Sequence, residues 1–391
     1  MKELTKGVLE LYLHIPFCVK KCLYCDFLSG PADRTVMAAY VEALKAELEG
    51  RAEGCADFKV TSVFLGGGTP SLLEGERILE LLETIKKYYC LDPCAEITIE
   101  ANPGTVNRQK LACWRRAGIN RLSIGLQSAF DEELAVLGRI HTWQQFLQTY
   151  EDALSEGFDN INIDLMSALP GQTPESWRAS LEKVLSLKPP PCHISAYSLI
   201  LEEGTQLYRL WEEGKLELLD EDADRLMYWE TGRILEQAGY GRYEISNYAL
   251  AGRECRHNCG YWSRRDYLGF GIGAASLFQN VRFQNGRSLQ AYLEHPLNCR
   301  QEEHALSLGE QMEEFMFLGL RKTEGISPQG FQECFGQPLE EIYGQVIKKN
   351  LTDGLLEYRE NGEGEMLALT DRGLDLSNYV FAQFLLDEDP A

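Results

Sequence analysis

Three cysteines near the N-terminus carry the strongest chemical signal in the chain. Cys18, Cys22 and Cys25 stand at C-x3-C-x2-C spacing within Tyr12-Leu-His-Ile-Pro-Phe-Cys18-Val-Lys-Lys-Cys22-Leu-Tyr-Cys25-Asp26-Phe27. Three thiolates on one short loop can hold three irons of a cubane [4Fe–4S] cluster and leave the fourth without a protein ligand. An open iron binds a small molecule, whereas a cluster that only relays electrons usually has every iron held. Zinc is the competing reading. Zinc usually takes four ligands in pairs, and no second C-x2-C pair follows.

Other residues have types and places that fit a ligand beside that loop. Gly66-Gly67-Gly68-Thr69-Pro70-Ser71 follows a strand pattern. Glycines there let backbone amides and carbonyls approach a ligand without Cβ interference; a plain tight turn is the alternative. Glu100 and Asp164 are carboxylates at strand ends, suited to ribose hydroxyls or an ammonium group, or else to a salt bridge with a helix Lys or Arg. Gln127 both donates and accepts, as a ribose contact needs, or simply faces solvent at a strand end. Arg139, one helix later, suits bidentate binding of a carboxylate or an ordinary surface position. A second cluster is Cys255-Arg256-His257-Asn258-Cys259-Gly260-Tyr261-Trp262. His257 has the type and setting of an axial haem ligand, and Tyr261 and Trp262 offer flat faces to a porphyrin. A core histidine between packed aromatics is the alternative, and Cys255 and Cys259, which bracket it, leave a metal site as a third.

The elements that must position these residues follow from a repeated rhythm. Short apolar runs at Leu11–Ile15, Val60–Leu65, Glu96–Ala101, Arg121–Leu126, Ile161–Leu165 and His193–Leu199 read as strands. Amphipathic stretches such as Thr35–Leu48, Arg77–Tyr89, Trp143–Glu156 and Pro174–Leu187 read as helices between them. Six βα units imply a parallel sheet, either open or closed into an incomplete (β/α)6 TIM-like barrel. The cysteine loop, the glycine run, Glu100, Gln127, Asp164, Tyr197 and Ser198 fall at carboxyl ends of strands, where such folds gather ligand sites. After Glu202 the rhythm changes. Trp211–Asp220 reads as a connection, Glu221–Ala238 as a helix and Arg242–Ser246 as a further strand. Arg253–Phe278 reads as ordered loop. The remainder, with a helix over Gln311–Leu320, strands over Leu355–Glu360 and Met366–Leu369, and a helix after Leu369-Thr-Asp-Arg-Gly373, reads as a small winged-helix-like α+β domain.

Bulk properties narrow the function. The chain has 391 residues, with 44% hydrophobic and 25% charged, ordinary for a globular protein with a large core. Its formal net charge of -22 argues against a nucleic-acid partner, which calls for Lys and Arg stripes. Twelve cysteines with no apolar signal core and no run long enough for a membrane span point to a reducing cytoplasmic setting.

The chain resembles the coproporphyrinogen III oxidase-like group of the radical S-adenosylmethionine (SAM) superfamily. The resemblance rests on Tyr12-Leu-His-Ile-Pro-Phe-Cys18, Gly66-Gly-Gly-Thr-Pro70, Arg121-Leu-Ser-Ile-Gly-Leu-Gln127, Asn162-Ile-Asp-Leu165 and Tyr243-Glu-Ile-Ser-Asn247. It implies one [4Fe–4S] cluster on Cys18, Cys22 and Cys25, with SAM at the barrel mouth. Tyr12, Tyr24, Gly67, Gly68, Thr69, Glu100, Gln127, Arg139 and Asp164 match the SAM-contact positions. It also implies a radical SAM core over 1–240, a connecting segment over 241–300 and a C-terminal domain over 301–391. The oxidase branch adds a cysteine two residues after the third; here that position is Phe27. The His-Asn-x-x-Tyr-Trp sequence at 257–262 is that of the haem-chaperone branch. That branch implies haem as cargo, held by His257, Asn258, Tyr261 and Trp262, and delivery to a haem-receiving, respiratory protein. Peripheral membrane contact through that partner is compatible with this. The oxidase or another tetrapyrrole-modifying activity is the alternative.

Overall fold

The computed structural model describes residues 7–362 and 364–386. Six parallel strands form its centre: β1 (Gly7–Ile15), β2 (Phe58–Gly67), β3 (Cys90–Ala101), β4 (Arg121–Gln127), β5 (Ile161–Ser167) and β6 (His193–Ser198). They stand in chain order, each paired in parallel with the next. The helices Arg34–Arg51, Gly75–Tyr88, Arg108–Ala117, Trp143–Ser155 and Pro174–Leu185 fill the crossovers. This is the incomplete (β/α)6 barrel expected from the βα rhythm. Every residue of β4 is buried, as strands covered on both faces are. Side chains of Asp33, Thr142 and Thr173 cap three of the helices at their N-termini.

The sheet extends beyond those six strands. β7 (Gly241–Arg242) and β8 (Asn247–Ala249) add antiparallel pairing at the β6 edge. β9 (Asp266–Phe270) pairs in parallel with β1, and β10 (Ala275–Phe278), β11 (Val281–Asn285) and β12 (Arg300–Ala305) continue from it in antiparallel pairing. The outer strands of this twelve-stranded sheet are β12 and β7, so the barrel stays open. The segment 253–278, expected as loop, is instead a helix, Arg256–Trp262, followed by β9 and β10. Residues 241–300 are therefore part of the sheet rather than a connector. These strands are short and interrupted by glycine and arginine. They are stabilised by the open edge of β1, which local sequence does not reveal.

Alternation along β1 divides the molecule. Leu9, Leu11 and Leu13 are fully buried in the core shared with Tyr40, Val41 and Leu44 of the first helix. The intervening Glu10, Tyr12 and His14 face the barrel interior. The helix Arg256–Trp262 is held against that interior by Glu96 of β3. Its carboxylate accepts the N–H groups of Arg256 and His257, each at 3.2 Å, in place of a local cap.

The C-terminal unit has its own core around Met316, Phe331, Tyr343 and Phe384. Helices Leu308–Gly319, Pro328–Phe335 and Leu339–Thr352 precede the hairpin β13 (Leu356–Asn361) and β14 (Gly364–Leu369), the expected winged-helix-like order. Buried Glu314 ties this unit to the sheet, accepting from Arg264 Nε at 2.8 Å and Arg282 Nε at 2.6 Å.

Gly260 sits on Glu10 so closely that an added Cβ would lie 1.9 Å from Oε1 and 2.2 Å from Cδ. Glu10 is itself fully buried. Gly260→Ala is therefore expected to cost about 1–3 kcal/mol through overpacking. Thermal unfolding reads this as a lowered midpoint, and a midpoint equal to wild type contradicts the packing.

Candidate functional site

The cysteine loop leaves β1 and is fastened at several points. Cys18 N–H donates to Gly30 O at 2.9 Å, and Gly30 N–H donates back to Pro16 O at 3.0 Å. Leu23 N–H donates to Leu137 O at 3.0 Å, and Leu23 O accepts from Leu207 N–H at 2.8 Å. The glycine loop after β2 clasps the base: Gly68 N–H donates to Ile15 O at 2.9 Å and Thr69 N–H to Phe17 O at 2.7 Å. A Cβ at Gly68 would come within 2.8 Å of both Ile15 O and Phe17 O. Gly67 has φ +108°, a left-handed conformation glycine adopts freely. The glycine run is thus a backbone clasp rather than a bare turn.

A cavity of about 510 Å³ opens at the carboxyl ends of the parallel strands. Cys18, Cys22 and Cys25 line it, together with Tyr24, Gly67, Gly68, Thr69, Glu100, Gln127, Arg139 and Asp164. Eleven of the twelve residues expected to hold the cluster and SAM therefore share one cavity. Tyr12 does not. Its hydroxyl is paired with His14 Nδ1 at 3.0 Å, and it lines a second cavity instead.

The polar groups of the first cavity hold one another in place. Arg139 Nη2 donates to Asn102 Oδ1 at 2.8 Å and to Gly125 O at 2.5 Å, while Nη1 lies 3.6 Å from Cys22 Sγ. Cys18 Sγ lies 3.5 Å from Thr69 Oγ1. Glu100 accepts from Gly67 N–H at 3.0 Å. Asp164 accepts from Asn162 Nδ2 at 2.8 Å and Ser123 Oγ at 3.2 Å. Neither carboxylate forms a salt bridge to a helix Lys or Arg among the described residues. Burial, with the Asp164 carboxylate nearby, pushes Glu100 up to about 8. Burial also raises Asp164, against the hydrogen bonds it accepts. Gln127 is only 5% exposed and has φ 71°, a conformation costing a non-glycine residue about 1–3 kcal/mol. A register irregularity beside it in the β4–β5 pairing accompanies the turn, and its Oε1 accepts from Tyr197 at 3.1 Å.

The haem-motif residues separate. His257 is 1% exposed and lines neither cavity. Its Nδ1 pairs with Ser62 Oγ at 2.8 Å and its Nε2 with Tyr261 Oη at 2.9 Å, and its ring stacks on Phe64. Both ring nitrogens are thus hydrogen-bonded in this structure, the setting of the core-histidine alternative. Burial holds the imidazole down to about 3, hence neutral. Asn258 faces the cysteine cavity, whereas Tyr261 and Trp262 line the second. Asn102 is the residue the sequence reading missed. It bridges Arg139 and Thr69, donating to Thr69 Oγ1 at 2.8 Å. Its position two residues beyond Glu100, at the carboxyl end of β3, was the available signal.

Residues 12–184 match the Radical SAM superfamily and residues 306–376 the HemN C-terminal domain. Fold and site together define a radical SAM protein. The heme chaperone HemW of Lactococcus lactis is 38% identical over 378 residues, spanning 96% of this chain and 97% of its own. Its namesake from Bacillus subtilis is 36% identical over 381 residues, spanning 96% and 98%. The solved structure of Escherichia coli coproporphyrinogen III oxidase (HemN) shares the fold, with TM-score 0.82 at 24% identity over 97% of this chain and 90% of that one. The chain belongs to the HemW family within the radical SAM superfamily.

That membership implies a [4Fe–4S] cluster and SAM, and the residues present fit both. Three thiols share the cavity with a guanidinium, a glycine cradle, paired carboxylates and a buried amide.

Glu100 keeps a proton in the folded protein from its ordinary value of 4.5 up to about 8, a range in which the unfolded chain has lost it. Folding is therefore favoured less as pH rises through that window. Glu100→Gln removes this loss, so its thermal midpoint relative to wild type is expected to rise between about pH 5 and about pH 8. A difference that does not change with pH contradicts the protonated carboxyl.

Proposed function

We propose that this protein binds haem and hands it to a haem-receiving protein, carrying a [4Fe–4S] cluster on Cys18, Cys22 and Cys25 with SAM beside it. The observation that carries this reading is near-full-length likeness to proteins named heme chaperone. When bound, the cluster and SAM supply one-electron chemistry. The chain's part is to bind and orient. Gly67, Gly68 and Thr69 offer backbone and hydroxyl groups to the methionine moiety, and Arg139 offers its guanidinium to a carboxylate. Glu100, Gln127 and Asp164 suit ribose hydroxyls or an ammonium group, and Tyr24 closes one wall. Asn258 reaches the same cavity from the helix Arg256–Trp262, while Tyr261 and Trp262 give the haem flat aromatic contact on the far side.

Phe27 supports delivery over porphyrinogen oxidation. It is 61% exposed at the cavity edge and has no thiol where the oxidase branch has one. A reducing, cytoplasmic setting suits an open iron, and no helix among the described residues is long and apolar enough to cross a membrane. A respiratory haem protein is the recipient class this reading names.

Anaerobic reconstitution tests it, divided between haem titration and incubation with coproporphyrinogen III, SAM and a reductant. Stoichiometric haem binding without decarboxylated product is expected, with Cys22→Ala losing cluster iron and visible absorbance. Protoporphyrinogen formation contradicts the reading, and full iron retention in Cys22→Ala contradicts the ligand assignment.

A further inference from the structure

Cysteine is among the most buried residue types, so exposed thiols are unusual. Among the described residues three cysteines are exposed: Cys90, Cys94 and Cys334. Two of them stand four residues apart at the start of β3, in Cys90-Leu-Asp-Pro-Cys94. They lie at the amino end of that strand, away from the cluster cavity.

The chain between them does not run straight. In a regular strand four residues span about 13 Å, beyond the ~4.4–6.8 Å between Cα atoms that a disulfide tolerates. Here β3 departs from that spacing. Cys90 pairs with Lys59, Leu91 with Val60 and Glu96 with Ser62, so residues 92–95 are set against Thr61 alone. Leu91 and Glu96 therefore stand about 7 Å apart, two strand steps of β2, and the residues between them bulge out of the ladder. Asp92 and Pro93 suit such a reversal. The Asp92 carboxylate accepts Cys94 N–H at 2.7 Å, and proline follows at the turn position that favours its fixed φ. Both thiols lie near one cation. Lys59 Nζ bonds to Asp92 Oδ2 at 2.6 Å; that bond first, then Cys90 and Cys94, hold its ammonium above the usual range.

The bulge also holds the helix Arg256–Trp262. Cys94 O accepts from Arg256 Nη2 at 2.7 Å. Glu96, two residues on, accepts the N–H groups of Arg256 and His257. Ala95 O accepts from Asn120 Nδ2 at 2.8 Å. A change of shape between Cys90 and Cys94 therefore reaches the first turn of that helix directly.

We propose that Cys90 and Cys94 are a dithiol–disulfide pair, a redox modification site that tightens the bulge against the helix Arg256–Trp262. The oxidant is a low-molecular-weight disulfide. One cysteine thiolate attacks it, forming a mixed disulfide and releasing one small thiol. The second thiolate attacks the mixed disulfide, forming the Cys90–Cys94 bond and releasing the other small thiol. One S–S bond breaks and one forms overall. Two electrons pass to the oxidant, and the two cysteine protons leave with its thiols. A thiol reductant reverses both steps.

Peptide mapping of the full-length protein tests this. Trypsin releases Tyr88–Arg108, which holds Cys90 and Cys94 and no other cysteine. The cluster-loaded protein is incubated anaerobically with oxidised glutathione, and free thiols are alkylated before digestion. The expected peptide is unalkylated and lighter than the dithiol form by two hydrogen atoms, and dithiothreitol restores the dialkylated form. Cys94→Ser is expected to leave Cys90 as a glutathione adduct, with cluster iron as in wild type. Amide exchange over residues 256–262 is expected to slow on oxidation of wild type and to stay unchanged in Cys94→Ser. Two glutathione adducts, or two free thiols, in the wild-type peptide overturn the pair. Exchange over 256–262 that ignores the oxidation state of wild type overturns its link to the helix.

Discussion

The site depends on one close approach of two backbones. Gly68 lies against the chain at Ile15–Phe17 so tightly that a single added carbon would touch two carbonyl oxygens at 2.8 Å. Two hydrogen bonds fasten that approach, from Gly68 N–H at 2.9 Å and Thr69 N–H at 2.7 Å. The cysteine loop begins one residue later, so its origin is fixed by the end of β2. Everything beyond follows from that fixed point. The loop reaches Leu137 and Leu207, Cys22 meets Arg139, and Arg139 meets Asn102. A side chain at position 68 would separate the thiols from the groups opposite them.

The barrel interior shows why a polar cavity survives inside a protein with a large apolar core. Apolar side chains of each strand point outward to the helices, leaving Glu10, Glu96, Glu100, Arg121, Asn162, Asp164 and His193 inside. Such groups are costly to bury alone and are tolerated when paired. Glu96 caps a helix, Asn162 and Ser123 bind Asp164, and His193 is held between Asn162 at 2.6 Å and Tyr243 at 2.8 Å. The helix Arg256–Trp262 closes one side of this interior and separates two cavities of different chemistry. One is lined by thiols, carboxylates and glycine backbone, the other by aromatic rings.

Much of this was legible in the sequence because it depends on local spacing. The cysteine loop, the glycine clasp and the six βα units each leave a short pattern, and the strand-end rule places Glu100, Gln127 and Asp164 together. The rest depends on long-range pairing. Strands β9 to β12 form because β1 has a free edge, which no local window contains. Gln127 turns inward through a positive φ at a register irregularity, and sequence shows the residue but not the turn. His257 reads from its neighbours either as an axial ligand or as a core histidine, and Ser62, Phe64 and Tyr261 enclose it, two of them from β2. Tyr12 fits a cofactor contact by motif, while strand alternation and its bond to His14 direct it to the other cavity.

Two cavities divided by one helix is the central claim, with cluster and SAM on one side and haem on the other. Haem titration of a Cys18→Ala, Cys22→Ala, Cys25→Ala variant, with its fold checked by circular dichroism, tests it most directly. The account predicts a folded protein without cluster iron that still binds haem at wild-type stoichiometry. A folded variant that loses haem along with the cluster contradicts it, and would place both groups in the cysteine cavity.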